Sequence, residues 1–265
     1  MSLIELEHLS AGYGKDLVIE DITLSIQAGE LVGVLGVNGS GKSTLVKTIC
    51  NVLAHNGNVK IKDKILEEQK IKEVARMVSY IPQQSGVSID IPVLDVVLMG
   101  FNPWLSLLER PGKEMEEKAK QVLTEVGLSE KIHANYMELS EGQKQLVIFA
   151  RALASEGQLL LMDEPESALD FSVRYKAMEI VRDWIGSEER AGLVILHDIA
   201  LALNSCDRLV LLKEKKIVAE IDLKNDTAKS IEEKMQLIYG NLTLEKVRTK
   251  TGKERLVVLY ESEEI

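Results

Sequence analysis

An apolar run, Leu31-Val32-Gly33-Val34-Leu35, opens onto Gly36-Val37-Asn38-Gly39-Ser40-Gly41-Lys42-Ser43-Thr44, and the chain then turns amphipathic through Leu45-Val46-Lys47-Thr48-Ile49. Strand, glycine-rich loop and helix in this order is the setting that the pattern G-x-x-x-x-G-K-[ST] requires. Glycines let such a loop curl its backbone N–H groups around a phosphate at angles that a Cβ forbids. A helix opening near Lys42 adds unpaired donors and a partial positive charge at the same point. The pattern assigns Lys42 to β- and γ-phosphate oxygens and the Ser43 hydroxyl to Mg²⁺. An ordinary glycine turn after a strand accounts for the glycines alone. It leaves the lysine, the hydroxyl pair and the flanking periodicity unexplained.

The rest of the chain is read by what it adds to that loop. Its 265 residues suffice for one α/β core with a smaller insertion. A formal net charge of −10 argues against nucleic acid as the main partner, because phosphate-backbone binders carry a basic stripe. No apolar run approaches the about 18 residues of a spanning helix, and Asp95 interrupts the best candidate, residues 91–101. The start, Met1-Ser2-Leu3-Ile4-Glu5, lacks the pattern of a signal peptide, and Cys50 and Cys206 form no metal or disulfide pattern. These features are expected of a cytosolic, reduced protein.

Ile4-Glu5-Leu6-Glu7 alternates as a half-buried strand, Ala11-Gly12-Tyr13-Gly14 reads as a turn, and Ile22-Thr23-Leu24-Ser25-Ile26 alternates again. Tyr13 is then a loop aromatic, equally suited to stacking on an adenine ring and to a plain surface position. Val59-Lys60-Ile61 and Val78-Ser79-Tyr80-Ile81 read as short strands, the second stopping at Pro82-Gln83-Gln84. A glutamine at a strand end can offer its carbonyl oxygen to Mg²⁺ or a lytic water, or simply be a polar loop residue.

Between residues 85 and 136 the pattern turns helical, with Val93, Leu94, Val97 and Leu98 after Pro92 and a second helix over residues 114–126. Ser140 and Gln143 then fit a capping box ahead of a helix through Leu153. The same helix N-terminus can also present N–H donors to an anion. Leu159-Leu160-Leu161-Met162-Asp163-Glu164 is an apolar strand ending in two carboxylates, as in a parallel strand buried on both faces. Beside the phosphate loop, Asp163 is placed to hold the Mg²⁺ shell and Glu164 to polarise a water.

Asp170 precedes a helix through Trp184 and can cap it. Leu193-Val194-Ile195-Leu196 is one more buried strand, and His197 falls in the strand-end layer of Asp163 and Glu164, where ligands of doubly wound sheets gather. Residues 209–212 and 217–219 read as a hairpin around Glu214-Lys215-Lys216, followed by a helix over 230–240 and a strand over 255–260.

Taken together these residues resemble the ATP-binding subunit of an ABC transporter. The resemblance rests on Walker A at residues 36–44, a Q-loop at Gln83, a signature at 139–143, Walker B at 159–164, a D-loop at 167–170 and a switch histidine at His197. It covers nearly the whole chain, and six elements in this order are highly specific. The resemblance implies an α/β P-loop NTPase (RecA-like) core with an antiparallel β subdomain and an inserted α-helical subdomain. The core with its β subdomain would span residues 1–84 and 149–240, the helical subdomain 85–148 and a C-terminal extension 241–265.

The resemblance also implies a head-to-tail homodimer that binds two ATP molecules with Mg²⁺. Ser140, Gly142 and Gln143 would then serve the partner's nucleotide, Tyr13 stack on adenine and Asp170 contact the dimer partner. Glu164 would be the general base, with His197 on the γ-phosphate and Gln83 and Asp163 at the metal. A membrane permease would dock near residues 83–95, an extracytoplasmic substrate-binding protein would act indirectly, and the subunit would sit on the cytoplasmic face of the membrane. Two departures stand out: Glu141 in place of the commonest glycine, and Glu166 in place of the usual threonine after Asp163-Glu164-Pro165. Asp95-Val96-Val97-Leu98-Met99-Gly100 and Ile238-Tyr239-Gly240 are similar to the importers of iron siderophores, haem and cobalamin, although Phe101-Asn102 stands where arginine is usual. The competing class is a soluble ABC ATPase acting on nucleic acid or the ribosome, which typically carries a long coiled coil, zinc modules or duplicated cassettes. A P-loop kinase or a binder without turnover leaves the signature and His197 unexplained.

Overall fold

The structure, a computed structural model, describes residues 2–83, 86–88, 90–186 and 189–260. The described chain opens with a long antiparallel pair, β1 (Ser2–Tyr13) and β2 (Asp16–Gln27). β3 (Leu31–Leu35), α1 (Lys42–Ile49), β4 (His55–Ile61) and β5 (Lys64–Ile65) follow, and β4 returns to β1, giving a first sheet in the order β2-β1-β4-β5. α2 (Ile71–Met77) leads into β6 (Val78–Ile81), and α3 (Val93–Leu98), α4 (Lys113–Glu125) and α5 (Glu141–Ala154) form a helical part. Next come β7 (Leu159–Asp163), α6 (Phe171–Ile185), β8 (Ala191–Ile195), α7 (Ile199–Ser205), β9 (Arg208–Lys213) and β10 (Lys216–Asp222). The second sheet runs β10-β9-β3-β8-β7-β6, parallel throughout except for β10 at its edge. α8 (Ala228–Tyr239) and a hairpin of β11 (Leu242–Arg248) and β12 (Glu254–Tyr260) complete the chain described.

Every residue of β3, β7 and β8 is buried, as their unbroken apolar runs require. Successive side chains point to opposite faces and divide two cores between them. Leu31, Leu35, Leu160, Met162 and Val194 face the helices, whereas Val32, Val34, Leu159, Leu161, Leu193 and Ile195 face the antiparallel sheet and α1. Each such side chain is worth about 1.5–3 kcal/mol buried, so the register of the central sheet is firmly set.

Three expectations change. The residues read as a turn at 11–14 mostly continue β1, with Gly12 paired to Leu17 and Tyr13 to Asp16, leaving only Gly14-Lys15 to reverse the chain. The boundary drawn between residues 148 and 149 falls inside α5, which is one continuous helix. The strand over 255–260 has a partner in β11, which the sequence reading leaves out, as it does α2, α7 and β5. Gln84 and Ser85 lie outside the described residues.

The terminal hairpin is tied to two helices. Asn204 on α7 donates from Nδ2 to the Leu256 carbonyl (2.9 Å) and accepts the Leu256 N–H at Oδ1 (3.1 Å), while Glu232 on α8 accepts the Leu244 N–H (2.8 Å).

Asp207, between α7 and β9, joins three further segments. Its Oδ2 accepts the Leu31 N–H at the start of β3 (2.9 Å), Arg182 of α6 grips both of its oxygens, and Lys224 lies 3.0 Å from Oδ1. Burial alone pushes this carboxyl up, but Arg182, the Leu31 N–H and Lys224 together hold it below its ordinary value of 3.8. A depressed carboxyl stabilises the fold above its unfolded value, and that stability is lost as pH falls through the folded one. Asp207→Ala is expected to cost about 3 kcal/mol in urea denaturation at pH 7, by stranding the groups that share it. Asp207→Asn is expected to destabilise as well, with its deficit against wild type shrinking below pH 4.

Candidate active site at the strand ends

Parallel strands bring their carboxyl ends to one edge, and the site is assembled there. β3 delivers the glycine loop, β6 delivers Gln83, β7 delivers Asp163 and Glu164, and β8 delivers His197. A cavity of about 460 Å³ opens among residues 38–44, Gln83, Glu164 and His197, with Val18 of β2 on one wall. Sequence reasoning missed Val18, whose place is decided by the pairing of the antiparallel sheet and not by any local motif.

The loop is shaped for an anion. Gly41 stands at φ 105°, left-handed backbone that favours glycine, and a Cβ there would lie 2.8 Å from the Val18 carbonyl oxygen and 2.7 Å from the Ile19 side chain. As N-cap of α1, Gly41 gives no side-chain cap, so the first N–H groups of that helix remain available. Ser40 Oγ is buried without a partner. Lys42 Nζ donates to the Gly36 (2.8 Å) and Val37 (3.2 Å) carbonyls. Burial pushes the Lys42 ammonium down, and the carboxylates of Glu164 and Asp163 counter this. An orphan hydroxyl, open helix donors and an ammonium spent on loop carbonyls all fit a triphosphate.

Ser43 Oγ donates to Asp163 Oδ1 at 3.2 Å, which brings together two of the three residues read as Mg²⁺ ligands, while the third, Gln83, turns its amide to Glu164. Burial raises the Asp163 carboxyl, and the Ser43 hydroxyl and the lysines Lys47 and Lys42 oppose the rise. The donor set, a hydroxyl and a carboxylate beside a phosphate cradle, suits a hard divalent cation.

Glu164 lies at the centre of the layer. Its backbone is left-handed at φ 50°, and its N–H donates to the Ile195 carbonyl across to β8 (3.2 Å). Gln83 Nε2 donates to Glu164 Oε2 at 2.6 Å, and His197 Nε2 lies 2.5 Å from Glu164 Oε1. The three residues read separately from the sequence as polar strand-end candidates therefore meet on one carboxyl group. A non-glycine residue held left-handed costs about 1–3 kcal/mol and persists where surrounding contacts over-determine it.

Other candidates lie outside this cavity. Tyr13 is 52% exposed at the end of β1, and Asp170 is the N-cap of α6 without a side-chain cap bond. The capping box is formed in full, with the Gln143 N–H donating to Ser140 Oγ (3.3 Å) and the Ser140 N–H to Gln143 Oε1 (3.1 Å). Gly142 packs close to the D-loop, since a Cβ there would stand 3.0 Å from the Ala168 carbonyl oxygen. Glu141 points outward and pairs with Lys144 at 2.8 Å, so its charge is turned along the helix surface. Glu166, by contrast, points inward beneath His197.

Lys42→Ala separates binding from folding. Triphosphate affinity is expected to fall at least about tenfold, the loss of one charge-assisted contact, read by titration with a fluorescent ATP analogue. The thermal midpoint is expected to stay level or rise, because the substitution removes a partly desolvated cation.

Comparison with known proteins places this geometry. Residues 19–167 match the ABC transporter family. The chain is 36% identical over 217 residues to the manganese transport system ATP-binding protein MntB of Bacillus subtilis (strain 168), covering 81% of this chain and 84% of that one. It is 32% identical over 238 residues to the hemin import ATP-binding protein HmuV of Vibrio parahaemolyticus, covering 88% and 89%. In fold it is similar to an inward-facing metal-chelate type ABC transporter, with a TM-score of 0.81, 24% identity and coverage of 98% of this chain and 99% of that one. The chain belongs to the ABC transporter family.

Proposed function

We propose that this protein is the ATP-binding and ATP-hydrolysing subunit that drives a membrane importer, with a metal ion or a metal chelate such as a siderophore, haem or cobalamin as cargo. The observation that carries this reading is the meeting of Gln83, Glu164 and His197 on one carboxyl group at the mouth of an anion cradle. Relatives that act on manganese and on hemin support the cargo class.

In this reading the loop N–H groups, Ser40 and Lys42 bind the triphosphate, and Tyr13 stacks on its adenine. Ser43, Asp163 and Gln83 hold Mg²⁺, which neutralises phosphate charge when bound. Glu164 accepts a proton from the attacking water, while His197 turns from the carboxylate to the γ-phosphate.

Two copies close head to tail. Ser140, Gly142 and Gln143 lie outside this chain's own cavity, and each copy presents them with the first-turn donors of α5 to its partner's nucleotide. Asp170 lines the same interface. The helical part, α3, α4 and α5, meets a permease at the cytoplasmic face of the membrane, and a substrate-binding protein loads that permease from outside. Among the described residues no helix is long and apolar enough to cross a membrane. ATP binding closes the pair, and hydrolysis with product release reopens it.

Glu164→Gln is expected to bind ATP while phosphate release falls by about 10²–10⁴-fold, the worth of a general base. Size-exclusion chromatography with Mg-ATP is then expected to show a dimer, and a monomer at saturating ATP overturns the paired arrangement. Cysteines placed at Ser40 and Ser140 are expected to crosslink between copies only with ATP, and their failure to do so removes residues 139–143 from the partner's site.

A further inference from the structure

The loop after β7 carries one acidic side chain that the reading above leaves without work. Glu166 is 7% exposed, its Oε1 accepts the His197 N–H at 3.0 Å, and its Oε2 is buried with no partner. The chain turns twice to put it there, with the Ser167 N–H donating to the Glu164 carbonyl (3.2 Å) and the Leu169 N–H to the Glu166 carbonyl (3.0 Å).

His197 lies just past the last ladder bonds of β8, where Leu196 N–H still donates to the Val34 carbonyl (3.3 Å). Its own N–H has no strand to receive it and would be an orphan donor without the Glu166 carboxyl. On the other side, Asp198 caps α7 by accepting the Leu201 N–H (2.9 Å) and pairs with Arg174 (3.0 Å). The His197 peptide is thus fixed from both directions, and its imidazole reaches Glu164 from that fixed base.

We infer that Glu166 is a positioning residue for hydrolysis: its buried carboxyl holds the His197 peptide so that the imidazole can meet Glu164 and then the γ-phosphate. This rests on the ATPase reading above.

Burial pushes the Glu166 carboxyl above its ordinary range, the His197 N–H, its own backbone N–H and the His197 ring draw it back, and nearby Glu164 adds to the rise. The titratable groups that face it are Glu164 on its own loop, His197 after β8 and Cys206 at the C-cap of α7, whose thiol burial also pushes up. No lysine or arginine pairs with it among the described residues. A bound triphosphate adds further negative charge to the same layer.

The test compares wild type, Glu166→Gln and Glu166→Leu as full-length chains. The glutamine is neutral, keeps the shape and keeps an acceptor for the His197 N–H; the leucine keeps volume and removes the acceptor. At pH 7 the glutamine variant is expected to match wild-type kcat. The leucine variant is expected to lose about tenfold or more in kcat, as a misplaced catalytic group does, with KM for ATP unchanged. Amide hydrogen exchange reads the bond itself: His197 is expected to exchange about fivefold faster in the leucine variant, the worth of one net hydrogen bond, and at the wild-type rate in the glutamine variant. Wild-type kcat and exchange in the leucine variant overturn the inference, and so does a glutamine variant as impaired as the leucine one. If the wild type releases no phosphate, the ATPase reading fails, and the exchange comparison still decides whether Glu166 holds His197.

Discussion

Parallel strands hydrogen-bond in register only when their chains run the same way, and this constraint decides where chemistry can occur. β3, β6, β7 and β8 each need a crossover to return, so their four carboxyl ends share one edge. Lys42, Gln83, the Asp163-Glu164 pair and His197 are distant in sequence and adjacent in space for that reason. β3, β7 and β8 carry little but apolar side chains and are buried throughout, which keeps the edge rigid. The polar residues then begin where burial stops.

Charge is balanced within this layer by sharing. Glu164 uses both carboxyl oxygens on Gln83 and His197, Asp163 takes the Ser43 hydroxyl, and Lys42 rests on loop carbonyls. Each of these partners can be given up to phosphate or metal. Glu166 sits one step behind, on the peptide of His197.

How much of this the sequence discloses depends on whether burial is local or distant. The central strands are legible because both faces are buried, which forces continuous runs such as Leu159-Leu160-Leu161-Met162. The glycine loop is legible because its backbone angles restrict residue choice at Gly39 and Gly41. α7 is not, since Ile199-Ala200-Leu201-Ala202-Leu203 is apolar on every side and shows no helical period. α2 buries only Val74 and leaves Ile71 exposed, so its pattern is as uninformative. Glu166 is visible in the sequence as a departure, but its contact with the His197 peptide depends on how a turn folds back against β8. Tyr13 shows the opposite error: glycines at 12 and 14 signal a turn, while pairing with β2 extends the strand through both Gly12 and Tyr13.

The terminal hairpin bears on how the molecule is made. Two strands alone are marginal in water, and this pair holds its shape through Asn204, whose amide serves Leu256 as a neighbouring strand would, and through Glu232. The pair has no third strand among the described residues, and α7 and α8 supply what such a strand would. Val247, Val257 and Leu259 stay exposed on this ribbon even in its docked place. One carboxamide and one carboxylate thus do the work of an absent neighbour strand.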